Sequence, residues 1–378
     1  MIYLDHHATT PVDPDVLAAM QPWWTERIGN PSNSHHSAGR AAREALEHAR
    51  AQVAALVNAE PREVVFTSGA TEANNWVLHG LFATAKPGEE LLVSAVEHKS
   101  LLVPAEQLRR RGVIVKILPV DAVGRITAET VATAITPASR LVCVMAANNE
   151  VGTVNPVEEI AAVCRERRVW GHCDAAQAAG KLPGRVWPAD LLSLTAHKLY
   201  GPPGVGALVI RRGARPLPLT PLLLGGSQER RLRAGTLPTP LIVGFGKACE
   251  LALQRQTADA ERIQELRERL WTRLSRELQG LALQGCPSDR LPGNLHVSFA
   301  GIDAEALLAR IGNEIAASAG AACSVDDHAP SHVLQAMHIP ADRAKGSVRF
   351  GLGRFNTADE IDQAAQLVIA AVRELRTK

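Results

Sequence analysis

The 378-residue chain has no run of ~18 apolar residues, so no membrane-spanning helix is expected. Neither charge dominates: 41 Lys and Arg stand against 39 Asp and Glu, for a formal net charge of +2. The charges are interspersed along amphipathic segments such as ERIQELRERLWTRLSREL, which leaves no electrostatic case for nucleic-acid binding. The densest basic cluster, Arg230, Arg231 and Arg233, reads as a local anion or interface feature. No C-x-x-C pair occurs among the cysteines at 143, 164, 173, 249, 286 and 323, so neither a zinc site nor a disulfide framework is indicated and reduced thiols are expected. The pairs His6-His7 and His35-His36 lack further ligands at metal-binding spacing, and no metal site is expected from them. The opening MIYLDHHATTP shows no basic segment followed by an apolar one, so a cytoplasmic location is expected. Internal repeats and low-complexity segments are also absent.

What is present is globular, with 46% apolar and 21% charged residues over a length that suits two domains. Asp13 before Pro14 is an N-cap with proline at the first helical position. Leu46, Ala49, Val53, Leu56 and Val57 form one helical stripe, and Ile263, Leu266, Leu270, Leu274 and Leu278 another. Thr357 and Glu360 form a capping box ahead of Ile361, Ala364, Val368 and Leu375. Between the helices lie the β-branched apolar runs EVVF, LLVSAV, VIVKIL, RLVCVMA, VWGHC, DLLSL and GALVIRR. Their alternation with helices predicts an α/β fold with a mostly parallel sheet covered on both faces. We expect a large domain over 13–255, a smaller α+β domain over 256–378, and an N-terminal segment 1–12 joining them.

The strand ends carry the chemistry. EVVF is followed by Thr67 to Glu72, LLVSAV by Glu97, His98 and Lys99, and LVCVMA by Asn148, Asn149 and Glu150. VWGHC leads to Asp174 and Gln177, while DLLSL leads to Thr195, His197 and Lys198 and then breaks into Gly and Pro. In an open parallel sheet the carboxyl ends share one edge, where ligands bind, so five polar clusters converge on one crevice. A lysine, a carboxylate, an imidazole and hydroxyls together are what pyridoxal 5'-phosphate demands: an amine for its aldehyde, a carboxylate for its ring nitrogen, and N–H and hydroxyl donors for its phosphate. In TSGATEANNWVL, Ala70 and Thr71 open a helix whose N-terminus is an anion site. Asp174, at the end of an apolar strand, is best explained by a protonated ring nitrogen as its partner.

The motifs GNPSNSHHSAG, VFTSGATEANN, EHKS, NNEVGTVNP, HCDAAQAAGK, AHKLYGPPGVGAL, RAGTLPTP and GAACS occur in that order. With them the chain resembles the NifS-like cysteine desulfurases, within the class V, fold-type I pyridoxal-phosphate enzymes, from YLDHHATTP to SVRFGLGRFNT. The resemblance implies a fold-type I transferase in which Lys198 condenses with the cofactor aldehyde. It places Ala70, Thr71, Thr195, Ala196 and His197 around the cofactor, chiefly its phosphate, and gives Thr236 to the phosphate of a neighbouring subunit, implying a homodimer. Asp174 pairs with the ring nitrogen, Gln177 with the ring hydroxyl, and Asn149 with cofactor and substrate. His98 stacks on the ring and moves protons, and Arg349 clamps the substrate carboxylate, a task that suits a planar bidentate donor.

The resemblance makes Cys323 the nucleophile that takes sulfur from L-cysteine, leaving L-alanine and a Cys323 persulfide. Sulfur then passes to an acceptor protein such as an iron-sulfur scaffold, for iron-sulfur cluster assembly or another thiolation, with at most a transient iron-sulfur contact through Cys323. A selenocysteine lyase or another class V enzyme is the alternative. Cys323 lies in AASAGAACSVDDHAPSH, a segment with little to pack and expected to be mobile, whereas the other five cysteines adjoin apolar runs. An unperturbed thiol is only about 3% ionised at pH 7, a handicap of roughly 2 kcal/mol, and Asp326 and Asp327 disfavour the thiolate further. Activation is therefore expected from docking near the cofactor, with His98 or the released Lys198 accepting the proton. The loop reads ASAGAACS where the group usually has SSGSAC, and the phosphate element reads TAHK in place of SGHK, which keeps a hydroxyl at Thr195.

Overall fold

The computed structural model of the protein describes residues 1–185, 187–213, 216–319 and 331–377; Cys323 lies outside the described residues. The apolar runs form a seven-stranded sheet in the spatial order Val64–Thr67, Gly206–Ile210, Leu191–Thr195, Trp170–Asp174, Ser139–Cys143, Glu90–Ser94 and Ile114–Leu118. Gly206–Ile210 runs against the other six, so six strands end at one edge. Successive side chains alternate between the two faces. Val64 and Phe66 pack with Leu46, Val53 and Phe245 on one side, while Val65 packs with Trp76 and Leu101 on the other. Burial on both faces explains why these strands read as continuous apolar runs, each fully buried large side chain contributing about 1.5–3 kcal/mol.

A second core surrounds a four-stranded antiparallel sheet of Ser318–Ala319, Ser347–Gly351, Asn294–Phe299 and Leu281–Leu283. Ile2–Tyr3 pairs with Ile315–Ala316, and Asp5 bridges to Gly351, which seats the N-terminal segment against this sheet. The helix Thr239–Glu277, 39 residues and about 58 Å long, ties the two cores together. Ile242, Phe245 and Cys249 at its start belong to the first core, and Leu266, Leu270 and Leu274 to the second. Position 255 lies inside this helix. The caps at Asp13 and Thr357 form as the sequence predicts, with side-chain bonds to Asp15 N and Glu360 N. Among the described residues no helix is long and apolar enough to cross a membrane.

The sheet edge at Val64–Thr67 is closed by charge. Phe66 N–H donates to Glu229 Oε2 at 2.8 Å, and Val64 O accepts from Arg50 and Arg230, each at 3.0 Å. Glu229 and Arg50 make a buried bidentate pair at 2.7 and 2.8 Å. Glu229, Arg230 and Arg231 all adopt left-handed backbone, with φ of 46, 57 and 65°, a conformation costing about 1–2 kcal/mol per non-glycine residue. The ion pair holds that strained segment against the edge. Glu229→Gln leaves Arg50 under-compensated in the interior and is expected to lower unfolding free energy by about 3 kcal/mol, read from the urea midpoint. A loss under about 1 kcal/mol would show that the pair does not hold the segment.

Candidate active site

At the shared strand edge opens a crevice of about 380 Å³, and all five polar clusters reach it. Its lining includes Ala70, Thr71, His98, Asn149, Asp174, Gln177, Thr195, His197 and Lys198. Residues as far apart in the chain as Ala70 and Lys198 meet here because parallel strands return to the same edge.

The turn Ser68–Gly69 joins Val64–Thr67 to the helix Ala70–Leu81, whose N-terminus has no side-chain cap. Gly69 has φ of 154°, a backbone that favours glycine, and a Cβ at Gly206 on the next strand would meet Gly69 Cα at 2.6 Å, so the close approach needs glycine at 206. The uncapped N–H groups and the Thr71 and Thr195 residues border one end of the crevice, a donor set suited to an anion. Glu72, at the same turn, accepts from Ser68 N–H at 2.7 Å and from Arg233 at 2.9 and 3.1 Å. Burial alone would raise its carboxyl, but the Arg233 and Ser68 bonds outweigh it and hold it below its usual value.

Lys198 ends the short 3-10 turn Ala196–Lys198 that follows the strand Leu191–Thr195. It forms part of the wall of a second, smaller cavity of about 40 Å³ that also touches His6, His7, Lys181 and Tyr200. Past it the chain bends through Tyr200, a left-handed residue at φ 61° whose N–H donates to Thr10 Oγ1 at 2.9 Å. His197 Nδ1 lies 3.1 Å from Thr9 Oγ1, and burial with the nearby Lys198 and Lys181 pushes its imidazole down to about 4, so it is neutral.

Asp174 is buried at the floor. Its Oδ1 accepts from Ala176 N–H at 2.9 Å and its Oδ2 from Asn74 Nδ2 at 2.8 Å. His98 caps the helix Lys99–Arg110 with Nδ1 accepting from Ser100 N–H at 3.1 Å. Burial and then Lys198 lower its basicity, against the opposing pull of Asp174. Gln177 is fixed by His7: its Nε2 donates to His7 O at 2.8 Å, and its Oε1 lies 3.2 Å from His7 Nδ1.

Among the described residues, three predicted ones do not line the crevice. Ala196 is fully buried within its turn, and Thr236 is exposed outside. Arg349 is buried behind Asn149, donating to its carbonyl at 2.9 Å and to Asp5 Oδ1 at 2.8 Å, while its Nε has no partner among the described residues.

Several residues escaped the sequence reading. Asn74 and Ser100 tie Asp174 to His98, and Lys181 Nζ donates to Gln177 Oε1 at 3.4 Å. Burial, Lys198 and Arg349 bring the Lys181 amine down to about 7, and Lys181 lines the smaller cavity. Glu97, fully buried, is raised well above its ordinary value by burial and Asp174, against the lowering pull of the Met145 backbone N–H. The first asparagine of EANN and the lysine of AAGK both stood in quoted motifs, but no spacing rule distinguishes them. Burial also raises the thiols of Cys143, Cys173, Cys249 and, to about 12, Cys164. Cys286 departs from this pattern: burial raises it, but backbone N–H bonds at Asp289 and Ser288 prevail and lower it.

Comparison with known proteins agrees with this arrangement. Residues 2–364 match the family model Aminotransferase class-V. The chain is 48% identical to the cysteine desulfurase IscS of Anaeromyxobacter sp. (strain Fw109-5), covering 99% of this chain and 93% of that protein. It is 45% identical to the mitochondrial cysteine desulfurase of Arabidopsis thaliana, covering 99% and 83%. A solved NifS-like protein superposes with a TM-score of 0.91 at 34% identity, covering 99% of both chains. The chain thus belongs to the aminotransferase class-V family, and within it to the IscS/NifS-like cysteine desulfurases.

Proposed function

We propose that the crevice binds pyridoxal 5'-phosphate, the cofactor of this enzyme family, and that Cys323 receives the sulfur of L-cysteine there. The observation that carries the reading is the convergence of Lys198, Asp174, His98 and an uncapped helix N-terminus on one cavity. That donor set fits the group: an amine for the aldehyde, a buried carboxylate for the ring nitrogen, and hydroxyl and N–H donors for the phosphate. When bound, the cofactor supplies an electron-withdrawing ring that weakens bonds around the substrate α-carbon.

The chain's own residues do the rest. Lys198 holds the cofactor covalently and, once released, holds a proton on Nζ. Ala70, Thr71, Thr195 and His197 bind the phosphate, with neutral His197 serving as a hydrogen-bond partner without adding a charge, while Ala196 stays buried in the turn that carries His197 and Lys198. Thr236, exposed on its loop, reaches the same group in a second copy, so the working unit is a homodimer. Asp174, oriented by Asn74 and Ala176 N–H, faces the ring nitrogen. Gln177, fixed by His7, faces the ring hydroxyl, and Asn149 lies between cofactor and substrate. The Nε of Arg349, without a partner among the described residues, supports a role in binding the substrate carboxylate. His98 moves protons at the substrate.

In the transfer, the Cys323 thiolate attacks the substrate sulfur. An S–S bond forms, the C–S bond breaks with its electrons left on carbon, and protonation there gives L-alanine beside a Cys323 persulfide. The persulfide then passes to an acceptor protein such as an iron-sulfur scaffold, for cluster assembly or another thiolation, in the cytoplasm. The holoenzyme incubated with L-cysteine and a thiol reductant is expected to release alanine and sulfide in equal amounts. Pyruvate or unchanged cysteine in place of alanine would contradict the reading.

A further inference from the structure

Asn74 lies in the second turn of the helix Ala70–Leu81 with 0% of its surface exposed, where an amide is costly unless its hydrogen bonds are made. Its Nδ2 donates to Asp174 Oδ2 and to Ser100 Oγ, both at 2.8 Å. A carboxylate only accepts, so the amide nitrogen must face it, and both amide hydrogens are committed. Ser100 Oγ, accepting from Asn74, stands 2.9 Å from His98 Nδ1, which also accepts the Ser100 backbone N–H at 3.1 Å. Three elements far apart in sequence thus share one directed chain of hydrogen bonds.

We propose that Asn74 is a positioning residue: by donating to Ser100 it turns the hydroxyl proton toward His98 Nδ1 and holds the imidazole neutral, with its proton on Nε2. This deepens the role given to His98 above and rests on that reading. Protonation of Nδ1 sets an N–H against both the hydroxyl proton and the backbone N–H of Ser100. The backbone group cannot turn away, because it belongs to the first turn of a helix, and Asn74 keeps the hydroxyl from doing so. The groups facing the ring from other elements are Lys198, Asp174 and His332, with Lys99 on its own helix; burial and Lys198 oppose the imidazolium most, and Asp174 favours it. A ring protonated at Nε2 and blocked at Nδ1 presents a neutral N–H hydrogen-bond donor on its free edge.

The test is a pH titration of the holoenzyme followed by ¹⁵N-histidine NMR, with the His98 signals identified by their loss in His98→Gln. Asn74→Leu and Ser100→Ala are each expected to raise the His98 pKa by about one unit. The double variant should move no further than either single one, since one chain is being cut twice. Ser100→Thr, which keeps the hydroxyl, should titrate as the unaltered protein does. Asn74→Ala, which leaves room for water, serves where Asn74→Leu does not fold. An unshifted His98 in folded, cofactor-loaded Asn74 variants would overturn the proposal, as would shifts that simply add. The readout is independent of turnover: a shifted titration with unchanged kcat would refute the catalytic role of His98 and leave the positioning role standing.

Discussion

Lys198→Ala loses turnover of L-cysteine: kcat/KM falls by about 10⁴-fold or more, equivalent to ~5 kcal/mol of lost transition-state stabilisation. The visible absorption of the lysine-bound cofactor should vanish with it. Position decides this result. Lys198 follows the strand Leu191–Thr195 on a short turn pinned by its neighbours, with His197 O accepting from Thr10 N–H and Oγ1, both at 2.9 Å. Lys181, whose amine is held near neutrality, borders the smaller cavity and does not line the crevice, so it cannot take over. Alanine formation by the variant within tenfold of the unaltered enzyme would exclude Lys198 as the anchor.

Cys323→Ala is expected to keep cofactor and cysteine binding while alanine formation drops by about 10³-fold and no persulfide accumulates. The thiols of Cys143, Cys164, Cys173 and Cys249 are poor nucleophiles, because burial raises them above their ordinary value. Cys286 is the informative control, since its thiol is lowered by backbone N–H bonds at a turn. It sits beside Arg290 and Thr153, away from the crevice lining. Cys286→Ser should transfer sulfur at the normal rate. If the two variants behaved the other way round, the nucleophile would be Cys286. The spectral change on adding cysteine separates lost transfer from lost binding, because only the former is expected in Cys323→Ala.

The sheet was legible because its strands are buried on both faces and so read as unbroken apolar runs ending in polar residues. Val64 to Phe66 and Leu191 to Leu194 show this clearly, each run splitting its side chains between two cores. The convergence of Asp174, Lys198 and His98 followed from strand direction alone. Residues whose meaning lies in a partner far along the chain were not legible. Asn74 meets Asp174 100 positions away, and Arg349 meets Asp5 344 positions away. Nothing local marks Glu229 as the anchor of three left-handed residues, since its partner Arg50 lies on a helix 179 positions earlier. The long helix Thr239–Glu277 likewise carries one periodic pattern through both cores, and only tertiary packing shows where its contacts change.

Reductive trapping probes the covalent anchor itself. The holoenzyme is treated with borohydride, digested, and its peptides are read by mass spectrometry. The account predicts that the cofactor-derived mass is carried by Lys198 in the peptide containing TAHK. Its recovery on Lys181 or another lysine, or on none, would contradict it.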